Sequence, residues 1–313
     1  MPPLGYCLSP PDRMRIRNCL IAASLVVAAC HPGNKEAKRL RGACASGDVA
    51  ACNSLANRLS KGEYVLRDES HAAELFDRAC KGNVGDGCAS LGLAYQKGIG
   101  VKRDSVRALA LFKQGCDAHG LDGCTSLGLL YRDGAGIPKD VARAAVLFQQ
   151  ACDGNNMAGC AHLGDLYAAG NGVTQDFARA ADMLRRSCTA KVQIGCVGLG
   201  KLHNAGTGVP QNDSIAAALY DQACQADEPT GCFQHARVLE AGLGMAQDFT
   251  QAAQLYRQAC EAGYGESCAR LASMYDRGAG VRHAPDRAKE FRKRACDYGH
   301  TESCEKPKPA GAS

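Results

Sequence analysis

Sixteen of the nineteen cysteines fall into eight pairs, the members of each pair eight residues apart: Cys44 with Cys52, Cys80 with Cys88, Cys116 with Cys124, Cys152 with Cys160, Cys188 with Cys196, Cys224 with Cys232, Cys260 with Cys268, and Cys296 with Cys304. Two thiols at that spacing can close a disulfide, hold a metal ion or carry out thiol–disulfide exchange. The residues between them narrow the choice. In the run from Cys116 to Cys124, Gly120 and Gly123 are poor helix formers, and Asp117 and Asp122 suit helix ends or turns. Read as the joint between two antiparallel helices, the run sets its thiols face to face, within the Cα separation a disulfide needs. A closed ring of about nine residues would stabilise the fold by roughly 2.5 kcal/mol on the loop-closure model. A zinc site would need further ligands beside each pair, and none recurs there. The eight histidines are scattered and out of register. The expectation is therefore eight disulfides, with no metal and no cofactor.

Disulfides require an oxidising compartment, and the N-terminus supplies the reason to expect one. A basic stretch, Met14 to Asn18, precedes an apolar run from Cys19 to Ala29. That run is too short for a membrane span, which needs about 20 residues, and has the proportions of a signal peptide. Residues 1–29 are read as that signal, with Met14 as the alternative start. Val27-Ala28-Ala29-Cys30 resembles a bacterial lipobox. The resemblance implies cleavage before Cys30, acylation of its thiol and a lipid tether facing the periplasm or the cell exterior. Cleavage at an Ala-x-Ala-like site, giving a secreted soluble chain, is the alternative.

The pairs recur every 36 residues without a slip, the mark of an array built from one supersecondary unit. Leu91-Gly92, Leu127-Gly128, Leu163-Gly164 and Leu199-Gly200 follow the second cysteine by three positions, and Tyr95, Tyr131, Tyr167 and Tyr275 by seven. This is the rhythm of an amphipathic helix, ended by Gly-x-Gly at Gly98 and Gly100 and its six-fold recurrence. Asp68, Asp104, Asp140, Asp176, Asn212 and Asp248 then open a second helix as N-caps. Small residues such as Ala144 and Ala145 and a large apolar residue four before the cysteine (Phe76, Phe112, Phe148, Leu184, Tyr220, Tyr256) give that helix a packing face. Nothing alternates as a strand would. The aromatic stripe reads as inter-helix core, and Gly-x-Gly as a turn and not a phosphate loop, since it follows a helix and lacks a third glycine. The fold class is all-α: a solenoid of seven 36-residue helix–turn–helix repeats over residues 35–304, after a linker at 30–34 and before a disordered tail at 305–313.

The 36-residue unit with Leu-Gly-x-x-Tyr, Gly-x-Gly and a closing Ala-Cys resembles the Sel-one-like repeat, a relative of the tetratricopeptide repeat. With a cysteine pair in every unit, the chain is similar to the Helicobacter cysteine-rich proteins. That resemblance implies a right-handed α/α superhelix that binds a protein or peptide partner. It also brings a competing implication, because the cysteine-rich group is classed with penicillin-binding proteins and β-lactamases. A serine hydrolase needs a nucleophile, a base and oxyanion donors. The sequence offers one Ser-x-x-Lys, Ser303 to Lys306, without Ser-Asp-Asn or Lys-Thr-Gly.

Two functions from different classes follow: a scaffold for a protein, peptide or cell-wall component, and a β-lactam hydrolase. The scaffold is the reading adopted, because solenoids present extended surfaces. Net charge is +5, falling to about +3 once residues 1–29 are removed, which implies no nucleic-acid partner and no membrane contact beyond the lipid. In tetratricopeptide-like arrays the first helix of each unit lines the concave side. Carried through Leu-Gly-x-x-Tyr, this places Leu93, Gln96, Lys97, Leu129, Arg132, Asp133, Lys201, Asn204, Arg237, Glu240, Asp276 and Arg277 on the partner face. The residue after the second cysteine adds Phe233. Arginine and aromatic residues dominate interface anchors, so Arg132, Phe233, Arg237 and Arg277 lead the set.

Overall fold

The computed structural model describes residues 32–304. The expected signal, Cys30 and the tail lie outside the described residues. Close packing divides the chain into two compact units, meeting in sequence at Gly120 and Leu121. The first contains α1 (Pro32–Ala45), α2 (Val49–Lys61), α3 (Glu69–Lys81), α4 (Gly85–Lys97) and α5 (Ser105–Asp117). The second contains α6 (Leu121–Asp133), α7 (Val141–Asp153), α8 (Met157–Ala169), α9 (Phe177–Thr189), α10 (Gln193–Ala205), α11 (Asp213–Gln225), α12 (Pro229–Ala241), α13 (Phe249–Glu261), α14 (Gly265–Arg277) and α15 (Pro285–Asp297), with a 3-10 turn at Thr301–Ser303. Even-numbered helices open the repeats and odd-numbered ones close them. No strand occurs among the described residues. Helix α1 begins inside the expected linker.

Local chemistry sets the helix ends. The expected caps form: Asp68, Asp140, Asp176, Asn212 and Asp248 each accept the backbone N–H three residues on, and Asp104 accepts those of both Val106 and Arg107. Before α15 the position is Ala284, and Pro285 starts the helix instead. The break between paired cysteines differs from the expectation at Gly123, which is buried inside α6. The turn is made by the left-handed residue three after the first cysteine: Asn83, His119, Asn155, Lys191 or Asp227.

The staples form as expected. Cys44 is bonded to Cys52, Cys80 to Cys88, Cys152 to Cys160 and Cys188 to Cys196. Cys224 is bonded to Cys232, Cys260 to Cys268 and Cys296 to Cys304. Cα atoms of these seven pairs lie 4.4–4.8 Å apart, and Cys116 and Cys124 are also half-cystines. Six of the seven join the last turn of one helix to the first turn of the helix that opens the next repeat. The seventh departs from that pattern, because Cys304 follows the 3-10 turn and not a further helix. Cys52, Cys88, Cys160, Cys196 and Cys268 are fully buried, whereas Cys304 is half-buried. Burial shields the sulfurs from an attacking thiolate, so the thiol–disulfide exchange that the spacing allowed gives way to a structural role.

Packing within a repeat explains Leu-Gly. A side chain at Gly200 would sit 2.6 Å from the Tyr220 ring, and one at Gly128 as close to Phe148. The glycine is the socket for the large residue of the second helix, which is fully buried at Phe112, Phe148, Leu184, Tyr220 and Tyr256.

A second tie was not anticipated. Tyr95, Tyr131 and Tyr167, expected in the core, are half-buried, and each carries an arginine from the next helix. Arg107, Arg143 and Arg179 stack at 5.5, 5.5 and 5.7 Å and donate to the phenol oxygen at 3.0, 3.3 and 3.5 Å. Tyr275 and Arg287 repeat the contact. Where the tyrosine is replaced, at Leu59, His203 and Leu239, the arginine is replaced as well, by His71, Ile215 and Gln251.

Between repeats, the second glycine of Gly-x-Gly lies directly on the backbone that begins the preceding second helix. A Cβ at Gly280 would fall within 2.0 Å of the Phe249 carbonyl oxygen, and φ there is +68°. Gly136 shares the left-handed φ, +79°, but has nothing within 4 Å. Alanine at Gly136 should therefore cost about 1 kcal/mol, from φ alone. Alanine at Gly280 should cost about 2–4 kcal/mol, because the backbone cannot give way. Urea unfolding of the two variants checks the difference.

Candidate functional site on the first helices

In the second unit the first helices pack side by side: α6 on α8, α8 on α10, α10 on α12. Each is also covered by its own second helix, so one stripe of each remains open. Counted from the second cysteine, that stripe holds positions +2, +5, +8 and +9. Asp133, Lys201, Arg237, Asp276 and Arg277 are exposed there, and Arg132 and Glu240 are half-buried. Phe233 is not on it. It is 1% exposed, with its ring 5.8 Å from Tyr256 and 5.0 Å from Tyr264. Position +1 lies on the flank where neighbouring first helices meet, which buries Ala161 and Val197 in the same way. Phe233 belongs to the core and cannot anchor a partner.

The stripe has two chemically distinct parts. On α6 and α8, Arg132 forms a two-pronged bond to Asp133 at 2.7 and 2.9 Å and reaches His162 Nδ1 at 3.4 Å. Burial pushes the His162 imidazole down to about 4, with Arg132 adding to the effect. One turn on, burial pushes the Asp165 carboxyl up to about 6, against the pull of Lys201 and Arg132. On α10, α12 and α14, Asn204, Gln234, Arg237, Glu240 and Arg270, with Leu243 of the turn after α12, border a groove of about 250 Å³. Glu240 is engaged on both oxygens, accepting from Tyr256 Oη at 2.8 Å and Arg277 Nη2 at 3.1 Å. Lys201, Arg237 and Arg270 are in no ion pair among the described residues.

His162, Asp165, Gln234 and Arg270 were missed from sequence, yet a signal existed. Positions +2, +5 and +9 share a helix face, so +2 belonged with the +5 and +9 residues already chosen. Among the described residues no group of three or more His, Cys, Asp or Glu side chains could hold a metal ion. Ser303 hydrogen-bonds His300 at 2.8 Å, but the pair lies within a single turn. Lys306 falls outside the described residues.

A family model described as the Sel1 repeat matches seven times, over residues 49–84, 85–119, 121–156, 158–191, 194–228, 229–264 and 265–300. The chain belongs to the Sel1 repeat family. Among solved structures, this Sel1 repeat protein is similar to c5321, a protective antigen of uropathogenic Escherichia coli. Identity is 26%, over 85% of this chain and 57% of that one, with a TM-score of 0.54. It thus spans little more than half of that protein's length. A Sel1 repeat protein from Oxalobacter formigenes shares its fold at 22% identity, over 85% and 77% of the two chains, with a TM-score of 0.57. Helicobacter pylori cysteine-rich protein B matches at 27% identity over 43% of this chain and 97% of that one, with a TM-score of 0.34. Searching the curated proteins gave no match. The fold is that of an interaction scaffold, and its many disulfides indicate an oxidising, extracytoplasmic environment. No helix of the described residues is long and apolar enough to cross a membrane.

The two titratable groups on α8 act on stability with opposite signs. A carboxyl whose pKa is raised by folding binds more protons in the native state, so its contribution falls as pH rises from about 4 to 6. An imidazole whose pKa is lowered contributes stability that rises over about 4 to 6.5. Asp165→Asn should therefore leave stability rising with pH across that window and stabilise the protein at pH 7 by roughly 1–3 kcal/mol. Chemical denaturation at a series of pH values measures both effects.

Proposed function

We propose that this Sel1 repeat protein is an exported, lipid-tethered scaffold that docks a protein or peptide on the open stripe of its first helices. The observation that supports this is a division of labour within the repeat. Cysteines and socket glycines or alanines hold their register throughout and caps hold it in every repeat but the last, while positions +5 and +8 run through leucine, aspartate, lysine and arginine, and through arginine, alanine, asparagine, glutamate and aspartate. Packing fixes the first set and leaves the second free for a partner to select. Arg132, Asp133, Lys201, Arg237, Glu240, Asp276 and Arg277 are the contact residues of this reading. Phe233 acts behind them, since Arg237 stacks on its ring at 5.8 Å and is held in place by it.

The tether is assigned to Cys30, whose thioether would carry the acyl chains into the bilayer. A single acyl chain binds membranes only marginally, so a stable anchor rests on the multiple chains of a lipoprotein.

The docking face is tested by replacing Arg132, Lys201, Arg237 and Arg277 with alanine and using the lipid-free chain as bait in an envelope extract. Partner capture should fall at least about tenfold while the melting temperature stays near wild type, because Lys201, Arg237 and Arg277 are exposed and half-buried Arg132 is tied, among the described residues, only to Asp133 and His162. Capture at wild-type level by the folded variant would move the site off this stripe. For the tether, Cys30→Ser should shift the protein from the membrane pellet to the soluble fraction, and a variant that stays in the pellet after normal processing would rule the anchor out.

A further inference from the structure

The docking reading leaves the partner's chemistry open, and the charge on the second unit's first helices narrows it. On the first-helix stripe some cations are already held by a carboxylate and others are open to one from a partner. Arg132 is held by Asp133, Arg277 by Glu240 and Arg292 by Asp276. Lys201 on α10, Arg237 on α12 and Arg270 on α14 form no ion pair among the described residues, although all three are exposed. Arg237 is pre-positioned, stacked on the Phe233 ring and donating to Gln234 Oε1 at 3.3 Å. The one carboxylate in the groove, Glu240, is taken by Tyr256 and Arg277. The face therefore offers three cations on three consecutive first helices, Arg237 and Arg270 lining the groove with the amides of Asn204 and Gln234, and Lys201 exposed on α10.

We propose that α10, α12 and α14 hold an extended acidic segment of a partner protein, its carboxylates meeting Lys201, Arg237 and Arg270. This rests on the reading that partners dock on the first-helix stripe. The spacing suits the ligand: α10 packs on α12, and α12 and α14 both line the groove; packed helices stand about 8–10 Å apart, and three residues of extended chain span about 10 Å. One acidic residue in every three would present a carboxylate to each helix in turn. Arginine pairs with carboxylates through two parallel hydrogen bonds, and a half-enclosed groove screens them less than open water does. The Gln234 amide N–H groups can donate to the ligand's backbone between carboxylates, whereas Asn204 Nδ2 already donates to Asp213 Oδ1 at 2.7 Å. An anionic bilayer presents a surface rather than a strand, and a groove of about 250 Å³ fits side chains better than headgroups in a plane.

The test uses the lipid-free chain with its disulfides intact and three fluorescein-labelled peptides carrying glutamate, glutamine or lysine at every third position. By fluorescence anisotropy, the glutamate peptide should bind at least about tenfold more tightly than the glutamine peptide and weaken as salt is raised. Lys201→Glu/Arg237→Glu/Arg270→Glu should lose the glutamate peptide by about tenfold or more and gain the lysine peptide, with an unchanged melting temperature. The reversal Arg185→Glu/Lys289→Glu/Lys293→Glu, on the second helices, should leave glutamate binding intact. Equal binding of the glutamate and glutamine peptides overturns the proposal. If that charge-blind binding is still lost on replacing Arg132, Lys201, Arg237 and Arg277 by alanine, the docking face stands and only its acidic preference fails. Binding to phosphatidylglycerol vesicles in place of the acidic peptide also overturns it.

Discussion

Everything in this protein is arranged around the joint where one repeat's second helix hands over to the next repeat's first helix. There the chain reverses within a few residues, and the paired cysteines come within 4.4–4.8 Å, Cα to Cα. Such closeness demands a left-handed residue, and side chains such as Asn83, Asn155 and Asp227 accept that conformation at modest cost. A disulfide at this point works chiefly on the unfolded chain, removing conformations the free joint would otherwise explore. Each repeat buries only a thin layer, so fixing its orientation to the next is what allows successive layers to share a core.

With the joints fixed, the remaining contacts fall into a repeated order. The socket glycine receives the large residue of the second helix, the arginine–tyrosine tie closes the pair's far end in four repeats, and the second turn glycine rests on the preceding second helix at Gly100, Gly172, Gly208, Gly244 and Gly280. None of these ties uses positions +5, +8 or +9. The first helices are left with a stripe that none of these ties fixes, and most of their charged residues fall there. The unpaired cations of α10, α12 and α14 are tolerated because the scaffold beneath them is held by other means.

Much of this was legible in the sequence, for a definite reason. Periodicity over seven copies averages out local ambiguity, so Asp140 and Asp176 could be named as caps, and Cys152 with Cys160 as a staple, from register alone. What register could not give was the lateral packing of first helices. A phenylalanine after a cysteine reads as an exposed anchor on an isolated helix, but Phe233 is buried because α14 and the Tyr264 ring lie against it. Arg270 was overlooked for the converse reason: its position carries serine in three other repeats and gave no hint of an open groove. Asp165 is ordinary as a letter, and only its burial on α8 turns it into a carboxyl that ionises near pH 6. The arginine–tyrosine tie was readable, since its two members vanish together in the same repeats, but the signal lies between positions and not at any one of them.

The claim that the joints hold the array is tested most directly by removing one. Replacing both Cys224 and Cys232 with serine removes the covalent joint between α11 and α12 while keeping side chains of nearly the same size in place. Amide hydrogen exchange with urea unfolding should then show a loss of roughly 2–4 kcal/mol, with protection falling first at the end of α11 and the start of α12. Unchanged stability and unchanged protection at that joint would contradict the account and put helix packing, not the staple, in charge of the fold.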